Sequence, residues 1–382
     1  MAGPLLIVGL SPAVSAYGAD FLRKIVGDRV VVVLETVLFK MEDGARNLEY
    51  KLGLAPPASP WAISSTTPVP TAILSPSRLK SPTSTPVPTQ PSTGVIILPT
   101  PSATPVWTPP PVTPLGVLQG VAVWEPYILD AQGHILAYRT FIQPDAKRPY
   151  ADTGIVAFDL EQTRLHFVLG FAEPYAPGIK KTGTGKIPAQ DLLPGKLLAT
   201  FNGGFKYKQG DFGAMADGYL SAPPRNGLGT LAIYRDGHIR LGMWGQDITD
   251  SPDLIAFRQN GPLVIQNGKL NAAVEDPTQW GFTISGETVT WRSGLAISQD
   301  GRTLYYFAGP YIDIADLAKA MQTVNPQAAM QLDINNFWVH FTTFKVDNGK
   351  LDAIALFPKE MASNLERYLS PYPRDYFYVT TP

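Results

Sequence analysis

In the second half of the chain, short apolar runs alternate with polar punctuation. "LAIYRDGHIRLGMW", "LVIQNGKLN", "LAISQDGRTLYYF" and "FKVDNGKLDAIAL" each set Asp-Gly or Asn-Gly between stretches rich in β-branched and aromatic residues. These dipeptides supply the positive φ that tight turns need, so four antiparallel hairpins are predicted. One helix stands out among them, "DIADLAKAMQTVNP" (313–326). Asp313 is its N-cap with Asp316 three residues on, Leu317, Met321 and Val324 form its buried stripe, and Asn325-Pro326 stops it. A strand, "AMQLDI", follows directly. The pattern predicts an α+β domain, dominated by sheet, over residues 115–382.

The preceding residues read differently. Residues 55–114 hold nearly half of the chain's prolines, many Ser and Thr, and no acidic residue. Proline fixes φ and removes a donor, so this segment reads as a semi-rigid polyproline II spacer, either a tether or a tail. Residues 1–54 form a third region. Its stretch 20–52 carries Leu34, Val37, Leu38, Met41, Ala45 and Leu48 at helical spacing, which predicts an amphipathic helix. That helix needs a partner: the domain, a second copy or a membrane surface. The start, "MAGPLLIVGLSPAVSAYGAD", resembles the second half of a secretory signal, an apolar stretch and a small-residue end without a basic beginning. The expectation is a secreted or extracytoplasmic protein whose signal is truncated at Met1, with envelope association through this N-terminal segment.

Charge narrows the classes. Lys+Arg 31 against Asp+Glu 32 gives no basic excess, and no nucleic-acid partner is expected. With no cysteine, disulfides, thiolate nucleophiles and Cys-based zinc sites are excluded. His134, His166, His238 and His340 lie far apart, and no G-x-S-x-G elbow is present. No cofactor or metal site is predicted. "GIKKTGTGKIPAQD" (178–191) is not a phosphate loop, because Ile187 and Pro188 follow Gly185-Lys186; it reads as a mobile basic loop near the site.

Three polar islands interrupt the apolar pattern. Asn202-Gly203-Gly204 follows a strand, Arg292 leads one, and Asp333, Asn335 and Asn336 break the run "AAMQLDINNFWVHF". Glycines allow a sharp turn and close ligand approach, while Arg offers a planar fork suited to phosphate or carboxylate. Each island alone also has a plain structural reading as a turn or surface residue.

Taken in order, "IPAQDLLPGKLLATFNGGF", "GTLAIYRDGHI", "RQNGPLVIQNGKL", "WRSGLAISQDGRTLYYF" and "AAMQLDINNFW" resemble the phosphodiester glycosidase family over roughly residues 180–345. The resemblance implies a hydrolase cleaving a sugar-1-phosphodiester on an extracytoplasmic glycan or glycolipid. It puts the family's N-G-G-F turn at Asn202–Phe205 and its Arg-bearing strand at Arg292–Ile297. The closing L-D-G-G-G-S pattern falls on Leu332-Asp333, with Ile334, Asn335, Asn336 and Phe337 in place of the glycines and serine. Implied catalytic residues are Asp333 as base or nucleophile, Arg292 as phosphate holder and Asn202 as orienting group. Implied substrate-binding residues are Gly203, Gly204, Lys206, Arg225, Asn335 and Asn336. A second carboxylate is not identified; Asp211 and Asp217 are the candidates. The rival readings are a non-catalytic envelope glycan-binding module and a purely structural envelope protein.

Overall fold

The four predicted turns are hairpin turns in the computed structural model, which describes residues 28–54, 58–61, 107–281, 283, 286–361 and 364–382. At both Asn-Gly pairs each residue has positive φ: Asn267 49° and Gly268 72°, Asn348 48° and Gly349 74°. At the Asp-Gly pairs the glycine alone does so, Gly237 at 87° and Gly301 at 75°. The apolar start of the chain and residues 62–106 of the spacer lie outside the described residues.

In chain order the first strands are β1 (Glu125–Leu129), β2 (Ile135–Ile142), β3 (Thr153–Asp159), β4 (Arg164–Val168), β5 (Leu197–Asn202) and β6 (Ala214–Ala216). Next come β7 (Tyr219–Ala222), β8 (Gly229–Tyr234), β9 (Ile239–Met243), β10 (Leu254–Gln259), β11 (Leu263–Gln266) and β12 (Lys269–Leu270). The last are β13 (Thr290–Ile297), β14 (Thr303–Ile312), β15 (Ala328–Ile334), β16 (Phe341–Asp347), β17 (Lys350–Ala355) and β18 (Tyr376–Thr380). Among the described residues there are two α-helices, α1 (Asp28–Lys51) and α2 (Ile314–Gln322).

The strands form three sheets, in the orders β1-β2-β3-β14-β13-β15-β11-β12, β7-β6-β10-β8-β9 and β17-β16-β5-β18-β4. Every pairing in the three is antiparallel. The fold is thus α+β and sheet-dominated. One face of the eight-stranded sheet meets the β5 sheet through aromatic rings, with Tyr306 4.9 Å from Phe201 and 5.0 Å from Phe341, and Phe158 6.2 Å from Phe341. Losing one such fully buried Phe side chain typically costs about 3–5 kcal/mol. The other face is covered by α2, whose Leu317 and Met321 share a buried cluster with Ala296 and Phe307. The predicted cap is present: Asp313 Oδ1 accepts from Asp316 N at 2.9 Å, and Asp313 N donates to Asp316 Oδ2 at 3.4 Å.

Helix α1 forms where its spacing predicted one, and it rests on the domain by a different face. Val37, Leu38, Met41, Ala45 and Leu48, the expected packing face, are exposed. The docked side is mixed. Phe39 stacks on Tyr311 at 4.6 Å, Asp43 accepts from Tyr150 Oη at 2.8 Å, and Arg46 pairs with Glu360 at 3.5 Å. One aromatic ring and polar partners on the domain therefore outweighed the aliphatic stripe. Among the described residues no helix is long and apolar enough to cross a membrane.

On either side of residues 62–106 the chain is anchored to β2. Trp61 lies under the Arg139 guanidinium at 4.3 Å and against Phe141 at 6.0 Å, and Trp107 meets Tyr138 at 5.7 Å.

Candidate active site

Strand register decides which polar residues meet. Tyr376 of β18 pairs with Asn202 of β5, so Asp375 falls beside Gly203. Arg292 of β13 pairs with Ile334 of β15 across an irregularity, so Ser293 reaches Asp333 and its Oγ donates to Asp333 O at 2.9 Å. The ends of β5, β10 and β15, the residues before β18 and one residue of β13 thereby surround one buried cluster.

Asn202 is saturated. Its Nδ2 donates to Ser293 Oγ and Gly203 O, both at 2.9 Å, while Oδ1 accepts from Tyr306 Oη at 2.9 Å and His340 N at 3.1 Å. A buried amide needs such partners, because an unpaired one costs about 1–3 kcal/mol. Asn202 thus holds the turn that follows it. Gly203 N donates to Asp375 O at 3.2 Å and Gly204 N to Asp375 Oδ2 at 3.1 Å. A Cβ on Gly203 would stand 2.0 Å from Asp375 Oδ2, and one on Gly204 would stand 2.9 Å from Asn260 Oδ1. The paired glycines are there because the backbone is wrapped around a carboxylate.

Two ion pairs occupy the centre. Arg374 Nη2 donates to Asp333 Oδ2 and to Gly204 O, both at 2.6 Å. Arg258 Nε donates to Asp375 Oδ2 at 2.8 Å, its Nη1 to Gln259 O at 2.5 Å, and its Nη2 to Phe205 O. Asn260 locks the neighbouring strand, donating to Gln331 O at 2.7 Å and Leu332 O at 2.9 Å while accepting from Phe205 N at 3.1 Å. Asp333 Oδ1 also accepts from Ile334 N at 2.8 Å. Burial pushes the Asp333 carboxyl above the usual carboxylate range; Arg374 opposes this and Asp375 adds to it. The opposing carboxylates of Asp333 and Asp375 keep Arg374 firmly charged despite its burial. Two buried atoms of the cluster, Arg374 Nε and Asp375 Oδ1, have no protein hydrogen bond. One is a donor and one an acceptor, which is capacity a ligand could use.

Aromatic side chains cover the cluster. Arg374 Cζ lies 4.3 Å and Lys206 Nζ 5.5 Å from the Trp338 ring centre, and Arg367 Cζ lies 5.4 Å from that of Phe337. Asn335, where the family pattern has glycine, takes φ 81°. Asn tolerates the left-handed region better than most residues, so the turn a glycine would make is made here by Asn335. Its Oδ1 accepts from Phe337 N at 2.9 Å, closing a local turn, and Asn336 is exposed beside it.

The remaining expected residues stand elsewhere. Arg292 is fully buried, and its five N–H donors go to Thr288 O (twice), Trp280 O, Gly281 O and Gln331 Oε1. Desolvation without an adjacent carboxylate lowers its pKa to about 10. With all its donors engaged by protein oxygens, Arg292 braces the 280–288 segment against β15, and a phosphate would have to displace those bonds. Arg225 is exposed, with Nη1 on Gly210 O at 2.7 Å. Asp211 and Asp217 are exposed turn residues at φ 53° and 50°. The carboxylate beside Asp333 is Asp375. Sequence reasoning named none of Arg258, Asn260, Arg374 and Asp375 as site residues; Arg258 and Asn260 open the quoted motif "RQNGPLVIQNGKL", while for Arg374 and Asp375 the one signal was adjacent opposite charges in the aromatic run "PYPRDYFYV". Among the described residues, no group of three or more His, Asp or Glu is arranged to hold a metal ion.

Residues 196–333 match the model of the phosphodiester glycosidase family. Arg374 and Asp375 lie beyond the matched segment. Among solved structures, the zebrafish N-acetylglucosamine-1-phosphodiester alpha-N-acetylglucosaminidase catalytic domain, auto-inhibited by its pro-peptide, is 16% identical; the match covers 71% of this chain and 87% of that one, with a TM-score of 0.40. A hypothetical protein from Synechocystis is 11% identical over 61% of this chain and 59% of its own, with a TM-score of 0.35. No curated protein matches the chain.

Proposed function

We propose that this chain hydrolyses a sugar-1-phosphodiester carried by an extracytoplasmic glycan or glycolipid. The observation that carries the reading is the Asp333–Arg374 pair set beside Asp375, with one donor and one acceptor of the cluster left without protein partners. The spacer composition and the small-residue end of the first apolar stretch support the extracytoplasmic setting.

The bond broken joins the anomeric carbon to a phosphate oxygen. Phosphate leaves as a stable anion, so protonation of the leaving group matters less than in ordinary glycosidases. Arg374 stabilises the charge the phosphate gains, an interaction strongest in a site shielded from water. Asp333 acts at the anomeric carbon, as nucleophile or as base for water, and its raised pKa suits proton uptake. Asp375 Oδ1 accepts from a sugar hydroxyl or the attacking water. Asn202 and the two glycines position rather than react, since their bonds fix the turn that carries Lys206. Asn335 and Asn336 line the rim.

The test is turnover of a sugar-1-phosphodiester by the wild type and by Asp333→Asn. Losing a positioned acid–base group lowers kcat by about a hundredfold or more, and that loss is expected here. Binding of the glycan without turnover, unchanged in the variant, would make the domain a binding module instead.

A further inference from the structure

The chain as a whole is nearly neutral, yet Glu173 to Asp211 carries Lys180, Lys181, Lys186, Lys196, Lys206 and Lys208 against three acids, Glu173, Asp191 and Asp211. Asp191 accepts from Tyr378 Oη at 2.8 Å. Lys180, Lys181, Lys186 and Lys208 are exposed, and none forms an ion pair with a described residue. Lysines on an ordinary solvated surface are usually interspersed with acids, so this asymmetry asks for a partner.

The loop that carries three of them is held in place. Gly183 N donates to Tyr175 Oη at 2.7 Å, Gly185 N to Leu169 O at 3.1 Å, and Tyr372 N to Gly185 O at 2.9 Å. A Cβ on Gly183 would fall 2.3 Å from Tyr175 Oη, and one on Gly185, at φ 64°, 2.1 Å from Tyr372 O. The glycines of "TGTGK" therefore let the loop lie against the segment that leads, two residues on, into Arg374. The turn after Gly204 joins the same neighbourhood, since Tyr207 N donates to Glu173 Oε2 at 3.3 Å. A continuous chain of contacts thus links the exposed lysines to the buried cluster.

We propose that these lysines form an outer subsite for further phosphates, and that the substrate is a polyanionic glycan with repeated phosphodiester links. The inference rests on the phosphodiester glycosidase reading and names the substrate class of that site. A single diester engages only the buried cluster. A longer chain also lays its neighbouring phosphates along the lysine loop.

The experiment compares the wild type with the triple variant Lys180→Glu, Lys181→Glu, Lys186→Glu. Two substrates are used, a single methyl sugar-1-phosphodiester and an oligomer of several sugar-phosphate repeats. The variant is expected to lose about tenfold or more in kcat/KM on the oligomer, in keeping with steering by a few charges, and to act normally on the single diester. The wild-type advantage on the oligomer should also fade with rising salt. Equal effects on both substrates, or none on either, would overturn the proposal. Direct binding of an inorganic polyphosphate chain to Asp333→Asn, with and without the three charge reversals, separates the two readings. Salt-sensitive binding lost on reversal, with no wild-type turnover, leaves the anion subsite standing and fells the hydrolase. Binding indifferent to the reversals fells the subsite.

Discussion

Replacing Gly203 with Ala tests whether the N-G-G turn exists to enclose Asp375. The added Cβ would stand 2.0 Å from Asp375 Oδ2 and 2.7 Å from Asp375 O, where real Cβ contacts essentially never fall below 3.0 Å. Carboxylate or turn must move by at least 1 Å, the difference between those two values. Arg258 Nε at 2.8 Å and Gly204 N at 3.1 Å then lose their acceptor together. Disrupting a buried pair typically costs about 3–5 kcal/mol, because the surviving charge is left uncompensated. In a domain of this size that lowers Tm by about 5–9 °C. The control is Gly261→Ala, whose Cβ would meet nothing within 4 Å. Calorimetry and urea titration of both variants give the answer. If Gly203→Ala stays within about 0.5 kcal/mol of wild type, the usual range for a neutral surface change, the enclosure argument fails.

Two further outcomes are expected. Burial pushes the Asp152 carboxyl up to about 8, against about 3.9 for an unfolded Asp. The folded state then holds a proton the unfolded chain has released, so between about pH 4 and 8 this group lowers stability by up to about 1.4 kcal/mol per pH unit. Asp152→Asn should flatten stability between about pH 5 and 7, and denaturation curves at those pH values with an unchanged slope would contradict the burial argument. Trp338→Ala removes the ring under Arg374, a contact worth about 1–2 kcal/mol when desolvated, and should raise KM for a phosphodiester several-fold more than Trp338→Phe does. Equal KM values for the two variants would mean the ring does not organise the site.

Local rules carried much of the fold. The Asx-Gly turns, the Asp313 cap and the strand after α2 each depend on residues a few positions apart, and each was readable. The ordered motifs also pointed to Asn202, Gly203, Gly204 and Asp333, which do share one cluster. What escaped depended on register. Asp375 meets Gly203 only because β18 lies beside β5, more than 170 residues away in sequence. Arg292 looked available because an Arg at the head of a strand is usually exposed; here the 280–288 carbonyls close around it. On α1 the aliphatic spacing was real, yet helical spacing identifies a face without saying what that face meets.

The two tryptophans on β2 change the mechanical meaning of the spacer. Trp61 and Trp107 are anchored at neighbouring positions of one strand, so residues 62–106 leave a single body and return to it. A protease cutting within this excursion would at first leave a two-chain complex, held only by the contacts of α1 and Trp61 with the sheets. Intact, the excursion presents α1 to its docking surface at an effective concentration on the order of millimolar, whatever the dilution of the protein. Once cut, the helix becomes a separate ligand whose occupancy follows its own concentration, and one backbone break turns a fixed element into a dissociable one.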